Sequence, residues 1–207
     1  MARRSGSSGE KTAIALHDAA VRLFARHGFA AVSMRQIASE IGVQVGALYL
    51  YTADKQALLN DILSGHMEHL LLTAGETLPV SGSPAARLEA FVRFHIRYHV
   101  LRPEKVFISY MELRNLTEDN FAAIEVLRRR YEDLLEDILK AGKAGRDFHI
   151  TDTRLTTLAM IAMLTGISTW YKSGGRMTQE EIEAHYLEMV NNMVGRPLAA
   201  ELLASPS

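Results

Sequence analysis

The stretch SMRQIASEIGVQVGALYLYTADK, residues Ser33 to Lys55, reads as two short helices joined by a tight turn, and the fold of the whole chain is read outward from it. Ser33 can cap the free amides of the first helix while Gln36 reaches back, the S-x-x-Q form of a capping box. Ile37, Ala38 and Ile41 share the inner face of that helix. Gly42 closes it, because a residue without a Cβ enters the left-handed conformation at little cost. Val43 plugs the turn, and Gln44 to Tyr51 begin a second helix whose Leu48 packs back on Ile37 and Ile41. A small residue at Ala38 lets the two backbones approach closely, as a helix-turn-helix requires when its second helix must enter a major groove.

The outer face of the second helix, Gln44 to Tyr51, has no acidic residue to repel a phosphate backbone. Gly46 and Ala47 are small enough for close approach to base edges. Tyr49 and Tyr51 suit phosphate contacts, since a phenol donates to an anionic oxygen while its ring packs on protein. Ordinary packing is the competing reading of either tyrosine. Lys55 follows the expected cap Asp54 and supplies a cation beside the start of the next helix, whose free amides also favour phosphate. The expected DNA contact set is Ser33, Met34, Arg35, Gln44, Val45, Gly46, Ala47, Tyr49, Leu50, Tyr51 and Lys55.

Residues 12 to 60 resemble the N-terminal domain of the tetracycline-repressor (TetR) family. The family pattern stands here as Ile37-Ala38, Gly42-Val43, Gly46-Ala47-Leu48-Tyr49 and Lys55. Two positions depart from it. Thr52 replaces a usual aromatic, which weakens one packing contact, and Val45 replaces a frequent Lys or Ser, so base readout does not carry over from relatives.

Composition agrees with a globular chain. It has 207 residues, 48% of them apolar, which is ample for a buried core. There are no cysteines, which excludes disulfides, thiolate metal sites and cysteine nucleophiles. The N-terminal MARRSGSSGEK lacks an apolar segment after its arginines, and no apolar run reaches membrane-spanning length, so a soluble, cytoplasmic protein with no membrane partner is expected. The net charge of -1 is unevenly placed: residues 1 to 55 carry +3 and the remainder -4. Phosphate neutralisation needs only local positive charge, so a basic head on an acidic body fits DNA binding.

Arg3 and Arg4 lie in a Ser/Gly-rich arm that reads equally as a phosphate or minor-groove contact or as a solvated tail. Lys11 to His27 carry apolar residues at helical spacing, ended by Gly28, with Phe24, Phe29 and Val32 forming a small core. A long helix is expected from Lys55 to about Thr77, joining head to body. Ser83 and Pro84 open the next, Pro103 another, and Thr117 restarts a helix that Gly142 and Gly145 stop. Residues 153 to 172 form the most apolar helix, and Thr178 with Glu181 makes a second capping box. The expected fold is all-α, about nine helices. Residues 1–54 form the arm and three-helix helix-turn-helix domain, 55–196 a ligand-binding and dimerisation domain, and 197–207 a short tail.

The last two helices carry more apolar and small residues than one subunit covers, so a homodimer through a four-helix bundle of these helices is expected. Internal core on both faces is the alternative. A two-fold dimer would present two recognition helices to a palindromic operator in double-stranded DNA.

Eight histidines include His95 with His99 and His66 with His69 at spacings that can share a metal. Neither pair has a carboxylate partner at helical spacing, and no metal or cofactor is expected. There is no nucleophile elbow, phosphate-cradling loop or dinucleotide fingerprint to support catalysis. The body reads instead as a sensor of a small apolar effector. Phe91, Phe94, His95, Tyr98, Phe107, Tyr110, Met111, Tyr131, Met160, Met163 and Trp170 are its candidate lining, rich in adaptable methionines, though each alone is more readily plain core than pocket wall.

Tyr110-Met111-Glu112-Leu113-Arg114 with Leu116-Thr117, then Thr169-Trp170-Tyr171, Gly174-Gly175 and Thr178-Gln179-Glu180-Glu181, are similar to the C-terminal half of TetR-type regulators of fatty-acid and steroid breakdown. That resemblance implies an acyl-CoA effector, with Arg114, Arg128 or Arg129 meeting the CoA phosphates. The default for Arg128-Arg129-Arg130 is a solvated helix face. The expected function is a ligand-responsive repressor, with a helical protein-interaction module and an enzyme acting on its apolar ligand as rivals. If the Tyr49 hydroxyl meets phosphate, Tyr49→Phe weakens binding across all DNA sequences and Gly46→Glu weakens it further. A titration in which Tyr49→Phe keeps wild-type operator affinity removes that role.

Overall fold

The computed structural model describes residues 6–196, with side chains from Gly9 onward. Arg3, Arg4 and the tail from residue 197 lie outside the described residues. Among the described residues the fold is all-α. The helices are α1 (Gly6–His27), α2 (Met34–Glu40), α3 (Val45–Leu48), α4 (Lys55–Thr77), α5 (Pro84–Val100), α6 (Pro103–Met111), α7 (Glu118–Ala144), α8 (Thr153–Thr165), α9 (Ile167–Trp170) and α10 (Gln179–Met193), with a 3-10 turn at Leu113–Asn115.

Local chemistry sets most of these boundaries. Both expected capping boxes form, Ser33 with Gln36 and Thr178 with Glu181. Ser83 caps α5 above Pro84, Pro103 opens α6, and Asp54 Oδ1 accepts from the Ala57 amide 2.8 Å away at the start of α4. Gly42 takes the left-handed conformation expected of it, at φ +70°, and Gly28, which ends α1 as expected, is left-handed too, at φ +80°.

Three expected boundaries change. The second helix of the helix-turn-helix keeps regular α geometry only over Val45–Leu48. The Tyr51 and Thr52 amides then both bond the Leu48 carbonyl, so the chain leaves the helix through tight turns. α7 is not stopped by Gly142: it passes through that residue and ends at Ala144, directly before Gly145, and the left-handed residue behind it is Arg146, at φ 63°. The helix read over 153–172 is divided at Gly166, where the Thr169 amide bonds the Gly166 carbonyl three residues back, giving α8 and α9.

The chain packs as two units, residues through His69 with Arg102–Leu127, and Leu70–Leu101 with Arg128 onward. The division passes through α4 and α7. In the first unit Leu16, Phe24, Phe29, Val32, Ile37, Leu48, Leu59, Ile62 and Leu63 form one core with Ile108 and Ile124. In the second, α5 packs against α8, α9 and α10. Phe91, Ile96, Leu135, Met160 and Leu164 are fully enclosed there.

Gly142 is needed for space, not for conformation. The chain folds back after α7 so that the Asp147 and Phe148 amides bond the Gly142 carbonyl at 2.9 and 3.1 Å, and a Cβ on Gly142 would lie only 2.0 to 2.6 Å from three Phe148 ring carbons. Helix propensity alone favours Gly142→Ala by about 1 kcal/mol. Overpacking costs about 1 to 3 kcal/mol, and a clash this close puts the site at the upper end. Gly142→Ala is therefore expected to lower the melting temperature, which a thermal melt checks; a rise contradicts the packing.

A buried carboxylate ties α10 to α5. Glu183 is fully enclosed and accepts from Arg97 Nε and Nη2 at 2.7 and 2.8 Å, from Arg93 Nη1 at 3.1 Å and from Gln179 at 3.0 Å. Burial alone would raise its pKa, but the hydrogen bonds from Arg97, Gln179 and Arg93 outweigh it and hold the carboxyl below the ordinary value. A depressed carboxyl stabilises the fold fully above its unfolded pKa and loses that contribution as pH falls through the folded value. Glu183→Gln is expected to cost about 2 kcal/mol near neutrality and to make the acid loss of stability shallower. Melts from pH 7 to pH 3 test this, and parallel curves for the two proteins contradict it.

Candidate nucleic-acid interface

The helix-turn-helix presents a face without carboxylates over Gln44 to Tyr51. Leu48 is wholly buried and fixes α3 on the head, whereas Leu50 is 80% and Tyr49 53% exposed. Gln44, Gly46 and Tyr51 are exposed, and Val45 and Ala47 are half-buried. Gln44 precedes α3 without turning its side chain back to cap it. Ser33 and Arg35 are exposed at the start of α2, with Met34 half-buried between them. Tyr51 bends back toward α1, where a Cβ on Gly9 would lie 3.6 Å from its hydroxyl.

Gly46 differs from the other glycines of the head. It sits inside α3 with no positive φ, and a Cβ there would meet nothing within 4 Å. Neither backbone conformation nor packing within the chain asks for a glycine. A surface with open space above a helical glycine permits close approach of an outside partner.

Lys55 has another occupation. Its Nζ donates to the Phe29 carbonyl at 2.9 Å and the Val32 carbonyl at 2.7 Å, and stands 4.2 Å from the centre of the Phe29 ring. The ammonium expected on phosphate is thus half-buried and braces the segment between α1 and α2. On the other side of that segment the Phe29 amide donates to Oε1 of buried Glu112 at 3.2 Å. Thr52, in place of the family's aromatic, is buried and its hydroxyl donates to the Asp54 carbonyl at 3.0 Å.

The candidate effector residues fall in both units. In the second, Phe91, His95 and Tyr131 form one packed cluster, with ring centres 5.5 to 6.0 Å apart. His95 is fully buried. Its Nδ1 is 3.0 Å from the Tyr131 hydroxyl and its Nε2 3.1 Å from the Thr165 hydroxyl, so both ring nitrogens are engaged. His99 stacks on it at 3.8 Å, and burial, with His99 adding, pushes the His95 pKa well below its usual value. Phe94 and Tyr98 pair separately at 5.8 Å. Met160 is enclosed, Met163 half-buried and Trp170 half-exposed. Phe107, Tyr110, Met111 and Arg114 belong to the first unit and are exposed.

Lys172 and Arg176 were not among the sequence candidates. They line a pocket of about 310 Å³ with Trp170, Tyr171, Gly175, Met177 and Ile182. The Gly174-Gly175 pair was the signal that could have found them, since it forces the turn that gathers these side chains. Glu112, Glu183 and Thr165 also escaped the sequence, because their partners are far along the chain.

The family model described as "Bacterial regulatory proteins, tetR family" matches residues 16–62. That described as "Tetracyclin repressor-like, C-terminal domain" matches residues 81–194. The chain belongs to the TetR family. It is a transcriptional regulator and not an enzyme. It is similar to the HTH-type transcriptional repressor KstR2 of Rhodococcus jostii, 27% identical over 200 residues, covering 93% of this chain and 95% of that one. Its fold is similar to that of a bacterial regulatory protein in the tetR family from Rhodococcus RHA1, with TM-score 0.84 and 27% identity over 91% of this chain and 98% of that one. AibR in complex with isovaleryl coenzyme A and operator DNA gives TM-score 0.76 and 26% identity, over 90% of this chain and 99% of that one.

The open space over Gly46 makes a sign prediction for this TetR-family head. Gly46→Ala removes the entropic cost of a helical glycine, so stability is expected to rise by about 0.5 to 1 kcal/mol, while affinity for a selected DNA duplex falls. A melt and a binding titration on the same protein check it. Affinity unchanged or improved would place the DNA elsewhere.

Proposed function

We propose that this regulator is a repressor that binds a palindromic operator as a homodimer and leaves it when a small apolar effector, of the acyl-CoA class, binds the body. The observation that carries the DNA half is the face of exposed Gly46, Tyr49 and Leu50 with half-buried Ala47, free of carboxylates and seated through buried Leu48. In this reading Gly46 and Ala47 approach base edges, and Tyr49, Tyr51, Ser33 and Arg35 meet phosphate. Met34, Gln44, Val45 and Leu50 complete the contact face. Lys55 acts beneath the interface as a brace. Residues 1–54 serve as the DNA-binding domain and 55–196 as the ligand-binding and dimerisation domain.

Dimerisation through α8 and α10 is supported by what the chain leaves uncovered there. Leu155 and Leu158 on α8 and Met189 on α10 are exposed, while Ile182 and Val190 of α10 face the core. A partner's matching helices would cover that surface in a four-helix bundle. The effector half is supported by the methionine and aromatic content around α5 and α8, by Lys172 and Arg176 beside Trp170, and by the isovaleryl coenzyme A bound to the structurally similar AibR. Effector binding shifts the protein between two arrangements according to its differential affinity for them, and α4 passes the shift to the heads. No helix among the described residues is long and apolar enough to cross a membrane.

Binding to a fluorescent pool of palindromic duplexes, across a salt series and with or without long-chain acyl-CoA, tests both halves. The expected result is selection of one two-half-site duplex over its single half-site, an affinity falling steeply with salt through counterion release, and release by acyl-CoA. Salt-insensitive binding, or no selection, contradicts the operator reading. Selection indifferent to acyl-CoA contradicts only the effector class.

A further inference from the structure

The segment between α1 and α2 is held by a closed ring of hydrogen bonds that joins three distant parts of the first unit. The Phe29 amide donates to Glu112 Oε1 at 3.2 Å, and Asn115 Nδ2 donates to Glu112 Oε2. Gln56 Nε2 donates to the Asn115 carbonyl, and the adjacent Lys55 Nζ returns to the Phe29 carbonyl at 2.9 Å. The backbone of one residue, Phe29, is thus gripped at its N–H by a carboxylate and at its C=O by an ammonium.

Three features make this more than incidental packing. Glu112 is buried, and among the described residues its oxygens meet only the neutral donors of Phe29 and Asn115 and no cation. A buried carboxylate held by neutral donors alone depends strongly on where those donors are, because losing one leaves a desolvated charge short of a partner. Gly28 stands at φ +80° with its missing Cβ 3.6 Å from Glu112 Oε1, which fits the backbone closely against the carboxylate. Phe29 lies four residues before the cap Ser33 of α2, and Lys55 holds Val32 as well as Phe29. A displacement at Phe29 therefore moves the start of the helix-turn-helix.

Glu112 follows directly on α6 and lies in the part of the chain matched by the C-terminal family model. We infer that Glu112 is a positioning residue for operator binding, through which α6 sets the placement of the helix-turn-helix by way of the Phe29 backbone. The inference rests on the operator-binding reading above.

The test uses the duplex selected by the wild-type full-length chain, with Glu112→Gln, Asn115→Asp and the double variant. Glutamine keeps an acceptor for the Phe29 amide but removes the carboxylate charge, and its NH₂ faces the NH₂ of Asn115 until that amide turns over. Asn115→Asp alone sets two carboxylates against each other. Together they restore donor and acceptor with the polarity of that bond reversed. Each single variant is expected to weaken duplex binding at least about tenfold, within the usual range of coupling between sites. Helical circular dichroism and the salt slope should stay at wild-type values, because no phosphate contact is removed. The double variant should recover affinity to within about threefold.

Wild-type affinity in a folded Glu112→Gln protein overturns the inference, and so does a loss that the double variant does not recover. If Glu112→Gln fails to fold, Asn115→Ala, which removes one bond of the ring, is judged by the same affinity criterion. A wild-type chain that selects no duplex defeats the operator reading itself. Selection by wild type with an indifferent Glu112→Gln defeats this inference alone.

Discussion

The first unit depends on how the Phe29 backbone is held. A short head of three helices buries little surface for itself, and its core is completed by Ile108 of α6 and Ile124 of α7. Apolar contact of this kind is non-directional, and it does not fix where the segment before α2 lies. Directional bonds do that. Lys55 fixes two carbonyls and the Phe29 ring from one side, and Glu112 fixes the amide from the other. A recognition surface needs such precision, because base readout fails when the helix is displaced by a fraction of a groove.

This arrangement explains what the sequence could and could not tell. Capping boxes, proline starts and left-handed glycines operate over three or four residues, so Ser33 with Gln36, Thr178 with Glu181, Pro84, Gly28 and Gly42 were all legible. The helix-turn-helix was legible for the same reason, together with the apolar spacing of Ile37, Ile41 and Leu48. Lys55 was read from its neighbour Asp54 as a cation free for phosphate, yet its partners lie 23 and 26 residues away. Glu112 and Phe29 are 83 apart, and nothing in local periodicity links them. The Gly142 boundary failed differently: its glycine answers to a ring that folds back from Phe148, which no propensity encodes.

The second unit shows the same limit in its polar core. His95 and His99 at helical spacing invite a metal, but the ring nitrogens of His95 are taken by Tyr131 and Thr165, 36 and 70 residues away. Glu183 on α10 reads as a surface residue until Arg93 and Arg97 of α5 enclose it. These buried polar groups give direction to the packing of helices whose apolar faces alone permit sliding, since a half-satisfied polar cluster costs more than an apolar one. The aromatics and methionines grouped in the sequence as one lining are divided by the structure into a packed cluster around His95 and exposed side chains at Phe107, Tyr110, Met111 and Trp170.

In the proposed function the Gly46 face of α3 meets the DNA. The most direct measurement is a structure of the full-length protein bound to the duplex it selects. Gly46 and Ala47 should lie against base edges in the major groove with the Tyr49 hydroxyl on a phosphate oxygen, and Lys55 should still be held by Phe29 and Val32. A duplex bound on any other surface, or Gly46 facing solvent in the complex, would contradict it.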